Sequence, residues 1–221
     1  MKNLFRRLRN LTFEKLVNHF INFIYKKATL IVVIKKLDRL PRIQTPKLEV
    51  ECRMLDSSYT HQISKLSNLD QEKINGFFED GSKCLAAFYN DQLIAYVWCH
   101  YKDYYFPFFR YSLEVDHGVY IGPDFVAPKF RGNSLHGFLL TKLFTILFEE
   151  AYEYAWGSVL NNNYSSIKGL IRVGYIPQKQ IVVIRILKTI VHKGISEIDQ
   201  WYTLKSAKSK YSTLWQKTKV H

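Results

Sequence analysis

Cysteine is scarce in this chain of 221 residues. Cys52, Cys84 and Cys99 stand far apart, which excludes a disulfide framework and a paired-cysteine metal motif. Cys84 and Cys99 sit in apolar, strand-like surroundings and read as buried free thiols, so a reducing compartment and a cytoplasmic location are expected. The seven histidines show no ligand spacing, which leaves no zinc site to propose and no metal among the site residues. Long hydrophobic runs are missing too. Residues 18–34 are apolar in two pieces, but Lys26 and Lys27 split them, and neither approaches the roughly 20 residues a bilayer crossing needs. The first residues do not read as a secretory signal, and no repeat or low-complexity tract appears. The 47% of apolar residues is ample for one core, so a single domain with extensions is expected.

Acidic residues are rare at both ends. Residues 1–47 carry a net +10 and residues 188–221 a net +5, so the stretch between them is −2 although the whole chain is +13. A near-neutral middle without a recognition motif makes nucleic acid the least favoured partner. Over residues 1–25, Leu4, Leu8, Leu11, Leu16, Phe20 and Phe23 recur at helical spacing among Arg6, Arg7, Arg9 and Lys15. This basic amphipathic helix suits peripheral contact with an anionic membrane or a partner groove. Packing on the protein's own core is an equal alternative.

The pattern along the chain predicts a strand at residues 29–34, a proline-bearing linker at 40–46 and a domain boundary at residue 47. A strand follows at 48–55, then a helix over 57–78 through Ile63, Leu66, Leu69, Ile74 and Phe77, stopped by Asp80 and Gly81. Residues 83–89 and 92–100 form a hairpin around Asn90 and Asp91, which tolerate positive φ. Residues 101–111 hold seven aromatics. A strand at 114–126 is interrupted at Gly122 and Pro123. A helix runs from Gly132 to about Glu153, and then come a strand at 154–160, a short helix at 165–173 and a strand at 180–187. This order predicts an α/β (α+β) fold, a mixed central sheet with helices on both faces. The predicted domains are a basic extension at 1–47, a catalytic body at 48–187 and a basic extension at 188–221.

The most informative stretch is Val126-Ala-Pro-Lys-Phe-Arg-Gly-Asn-Ser-Leu-His-Gly137. It reads as a strand end, a tight basic turn and a helix whose first turn lacks acidic residues. Unpaired N–H groups and the positive end of the macrodipole suit a phosphate or pyrophosphate there. Arg131 adds a charged fork, and Gly132 admits close approach of a ligand. An ordinary strand–turn–helix connection is the alternative.

Two motifs resemble those of the GNAT N-acetyltransferase family. Val126-Ala-Pro-Lys-Phe-Arg-Gly resembles its strand-end signature of valine, proline, aromatic, arginine and glycine. Asn163, Ser166, Leu170, Gly174 and Tyr175 fall at the spacing of its asparagine, small residue, tyrosine, glycine and aromatic. The resemblance spans roughly residues 48–187. It implies a GNAT-like sheet and an acyl-CoA donor, acetyl-CoA above all, held by Val126, Arg131, Gly132, Asn133, Ser134, Leu135, His136, Gly137, Asn163 and Ser166. The implied activity is transfer of an acyl group to the amine of a small molecule such as an amino sugar or amino acid derivative. Departures exist: Ser134 and His136 occupy the loop's two small positions, and Leu170 replaces the tyrosine that often protonates the departing thiolate. They keep a second reading open, a catalytically degenerate binding or regulatory module. A third is a membrane-surface acyltransferase with a lipid-linked substrate.

The base is harder to assign. Asp124 and Tyr120 share one face if β alternation holds from 120 to 126, and a bulge at Gly122 and Pro123 breaks that relation. Glu114, Asp116 and His117 are alternatives, as is a water chain, and Asp124 also reads as a turn carboxylate that caps backbone N–H groups. The Asp116–His117 neighbours point to opposite strand faces and lack an activated serine, so a hydrolase triad is set aside. The aromatic run at 101–111 is read as an acceptor pocket, as a packed hairpin or homodimer interface, or as part of a membrane-facing surface.

Overall fold

The computed structural model describes residues 25–187 and 189–198. The amphipathic helix expected over residues 1–25 falls outside them except for Tyr25, as does most of the C-terminal extension. Ten strands, β1 (Tyr25–Lys36), β2 (Glu51–Leu55), β3 (Lys83–Tyr89), β4 (Gln92–His100), β5 (Tyr104–Phe106), β6 (Tyr111–Leu113), β7 (Gly118–Val126), β8 (Tyr154–Leu160), β9 (Ile176–Ile186) and β10 (Thr189–Glu197), alternate with four α-helices. The helices are α1 (Thr60–Ser67), α2 (Gln71–Glu79), α3 (Leu135–Glu149) and α4 (Tyr164–Arg172). Eight strands form one mixed sheet in the order β10-β9-β1-β8-β7-β4-β3-β2, and β5 and β6 make a separate hairpin.

The sheet is covered on both faces, as the fold class requires. On one face α3 and α4 bring Leu139, Leu143, Phe144 and Ile167 onto Val33, Leu85, Val97, Val119 and Ala155. On the other, α1 and α2 cover the β2–β3–β4 half with Ile63 and Ile74 against Ala86, Tyr96 and Trp98. The aromatic hairpin covers the remaining half, laying Phe109, Phe106 and Tyr104 on Tyr120, Val32 and Val183. Of the three sequence readings of that run, the structure matches the packed hairpin. Tyr105 alone among its tyrosines is largely exposed.

Three expectations need correction. The boundary at residue 47 does not divide the sheet. β1 lies in its interior, antiparallel to β8 on one side and β9 on the other, and Ile31, Val32 and Val33 are fully buried. Each such side chain contributes about 1.5–3 kcal/mol by burial. The boundary at 187 likewise cuts between β9 and β10, which pair antiparallel. The helix expected over 57–78 is two helices. Asn68 adopts the left-handed conformation that ends α1, and Asp70 accepts the Glu72 N–H to start α2, so a local cap at each side outweighs the shared apolar period. The hairpin at 83–100 forms as read, with both Asn90 and Asp91 at positive φ.

Candidate functional site

β7 and β8 are parallel but pair only from Gly118–Tyr154 to Tyr120–Trp156. Beyond those pairs the strands part, and their facing backbone edges open a gap at the carboxyl end of the sheet. β7 is also irregular here. Val97 pairs with Asp124 and Cys99 with Ile121, so two residues of β7, Gly122 and Pro123, oppose one of β4, Trp98. Gly122, at φ +136°, and Pro123, which has no N–H to donate, account for this bulge.

The bulge decides where the two expected catalytic residues go. Asp124 shares a face with Val97 and the α3 side, whereas Tyr120 pairs with His100 and faces the aromatic hairpin. Of the two alternatives left open by the sequence, the bulge at Gly122 and Pro123 is the one that forms, and Tyr120 and Asp124 lie on opposite faces. Tyr120 is buried, bonds Ser158 Oγ through its hydroxyl at 2.9 Å and stacks on Tyr104; burial pushes its hydroxyl far above the ordinary tyrosine range. Asp124 instead opens onto a cleft of about 480 Å³ at the start of α3.

That cleft gathers most of the residues the sequence nominated: Asp124, Val126, Arg131, Gly132, Ser134, Leu135, His136, Gly137, Asn163 and Ser166. Ser134 stands at φ +61° where a glycine would be unstrained, and it makes no side-chain cap. The helical ladder begins with Phe138 N–H to Ser134 O. The N–H groups of Leu135, His136 and Gly137 thus lie in a first turn that supplies no acceptor and holds no acidic residue. Arg131 donates its Nε to the Val126 carbonyl at 3.2 Å, which fixes the guanidinium beside the strand end. Asn133 is the exception in the loop. Its side chain donates to Phe130 O and its carbonyl accepts from Lys47 N–H, and it does not line the cleft.

On the far wall, Asn163 caps α4 by accepting the Ser166 N–H. His136 crosses between the walls. Its Nε2 lies 3.2 Å from Asp124 Oδ2, and its ring sits so close to Gly169 that a side chain there would crowd it. Burial opposes the imidazolium, but the Asp124 charge and hydrogen bond outweigh it and hold His136 above its ordinary value. Burial likewise pushes Asp124 up, and the same partner leaves it lowered on balance. Leu170 is buried in the core of this wall and brings no hydroxyl.

Sequence reasoning missed Gln44, Phe130, Ser165 and Arg172, which also line the cleft. Arg172 ends α4, and its place as a last-turn cation was a usable signal. Gln44 gave none, because it lies in a linker whose course depends on β1.

The donor set fits a diphosphate-bearing acyl carrier: unpaired helix N–H groups, two arginines and a roomy polar cleft beside an open strand edge. Comparison with known proteins agrees. Residues 48–175 match the model of the acetyltransferase (GNAT) family. A Drosophila protein of known structure is 14% identical, with a TM-score of 0.56 over 85% of this chain and 59% of its own. A GCN5-related N-acetyltransferase from Sphaerobacter thermophilus is 13% identical, with a TM-score of 0.56 over 84% and 57%. An acetyltransferase of the GNAT family from Colwellia psychrerythraea is 11% identical, with a TM-score of 0.51 over 80% and 63%. The chain spans less than two thirds of the length of each of these three, and identities this low speak to the fold alone. No curated protein matches the chain.

Proposed function

Because the chain belongs to the GNAT acetyltransferase family, we propose that it is an acyl-CoA-dependent N-acyltransferase that transfers acetyl to the amine of a small molecule, such as an amino sugar or amino acid derivative. One observation supports this reading above the rest. The capless, acid-free first turn of α3 faces a cleft lined also by Asp124, Phe125 and Val126, the end of β7 that lies beyond its last pair with β8. When bound, acyl-CoA supplies a thioester whose carbonyl the amine attacks. The chain's own residues do the rest. Leu135, His136 and Gly137 offer N–H groups to a diphosphate, and Arg131 and Arg172 neutralise it. The unpaired edge of β7 near Val126 aligns an extended arm by backbone hydrogen bonds.

Asp124 is a poor proton acceptor in this arrangement. A general base works best with a pKa near the working pH, and the His136 pairing lowers that of Asp124. Its role is to hold His136 in place. The ammonium proton then leaves through water in the cleft.

Isothermal titration with CoA tests the reading. Arg131→Ala is expected to weaken binding about tenfold while the fold is kept, and unchanged affinity would remove the arginine from the site. Leu170 in place of a hydroxyl favours the rival reading, a module that binds CoA without turnover. Release of free CoA that depends on added amine supports transfer. Release that ignores the amine supports the rival.

No described helix is long and apolar enough to cross a membrane.

A further inference from the structure

The connection from β1 to β2 does not run free. It crosses the open end of α3 as a strap held at two points, Gln44 N–H to Thr141 Oγ1 at 3.0 Å and Lys47 N–H to Asn133 O at 3.0 Å. Thr141 in turn donates to the Gly137 carbonyl, so strap and helix form one connected unit. From the first of these anchors the Gln44 side chain enters the cleft. Its carboxamide presses on Gly137, where any Cβ would collide with it. Only glycine leaves room for that amide against the first turn. Among the described residues the carboxamide makes no hydrogen bond, although it carries two donors and an acceptor.

Resting on the acyl-CoA reading above, we propose that Gln44 is a donor-binding residue, added to the site by the strap. Its oxygen lies nearest Gly137 in the first turn of α3. When a diphosphate takes that place, rotation of the amide by half a turn presents its NH2 to a phosphate oxygen. The amide is neutral and can offer either its oxygen or its NH2. A carboxylate at this position would repel a phosphate, and a cation would attract it. The strap therefore supplies a ligand contact that the family-matched residues 48–175 do not contain.

A charge series at this position, read by titration calorimetry with CoA, tests the idea alongside Arg131→Ala. Gln44→Glu is expected to lose at least about tenfold in affinity, and Gln44→Lys to bind as well as the parent or better. Gln44→Ala should fall between Gln44→Glu and the parent. A wall that acts only by shape would weaken CoA for Glu and Lys alike, and that result overturns the proposal. So does a Glu variant within about twofold of the parent while Arg131→Ala still loses affinity, an outcome that leaves the acyl-CoA reading intact. If the parent binds no CoA, that reading falls and this one with it. Thermal melts accompany each variant, and should Gln44→Glu not fold, the contrast between Lys and Ala decides the same question.

Discussion

His136 Nε2 stands 3.2 Å from Asp124 Oδ2, so the first turn of α3 is tied to the irregular half of β7 across the cleft. Both groups are held charged by each other against burial. Asp124, lowered from 3.8, gives stability that is present above its ordinary value and lost as pH falls through the lowered one. His136, raised from 6.5, gives stability that is complete below its ordinary value and lost as pH rises through the raised one. The pair therefore acts fully between those two ordinary values. We expect the His136 ring proton to titrate above 6.5 by NMR, and its midpoint to fall in Asp124→Asn. Asp124 is more than a third exposed, so solvent screening keeps the stabilisation under about 1 kcal/mol. A His136 midpoint at or below 6.5 would contradict the pairing.

The same bond sets an expectation for kinetics. If Asp124 only positions His136, Asp124→Asn should lose less than about tenfold in kcat and keep the acid limb of its pH–rate profile. A general base removed from such a reaction costs about 10²–10⁴-fold. A loss in that range, with the acid limb abolished, would restore Asp124 as the proton acceptor.

Legibility in the sequence followed the range of the interactions involved. Asn90 and Asp91 announce their hairpin because a two-residue turn is set by its own φ angles. The run from Val126 to Gly137 announces its phosphate-ready corner because the loop and helix start are contiguous. Tyr120 and Asp124 share a face only while alternation is unbroken; Gly122 and Pro123 mark where a bulge can break it, but that it forms shows only in pairing with β4. Gln44 was missed for a related reason: no short spacing encodes that β1 enters the sheet between β8 and β9. Arg172, by contrast, carried a local mark as the last-turn cation of α4. The caps at Asn68 and Asp70 were visible as residues, yet the apolar period through both helices concealed them.

His100 carries a second pH dependence, unrelated to the cleft. Its Nδ1 meets Ser82 Oγ at 2.8 Å, and its ring packs against Phe77 and Tyr104. Burial lowers its pKa from 6.5 to about 4. The unfolded chain therefore takes up a proton before the folded one does, and stability falls as pH drops from 6.5 toward 4. Between pH 7 and 4.5 this group alone should remove about 2–3 kcal/mol. Urea unfolding at both pH values should show a shallower acid loss for His100→Gln than for the parent. Equal acid losses would mean that the ring stays hydrated or finds a counter-charge.

β1 gives the sharpest test of where the catalytic body begins. Without it, β8 and β9 each lose an antiparallel partner, and the backbone groups facing the vacated position have no replacement within the sheet. Ile31 is fully buried beneath α3 and α4, so Ile31→Ala should lower stability by about 2–5 kcal/mol in urea unfolding. A chain of residues 48–187 alone should go further and show no cooperative transition, although it holds the whole family-matched segment. Restoring residues 25–36 to that chain should recover a sharp transition if the strand is what was missing. Cooperative unfolding of 48–187 by itself would mean that the sheet closes without β1. The strap carrying Gln44 would then be dispensable for folding, and its effect on CoA affinity would be one of ligand contact alone.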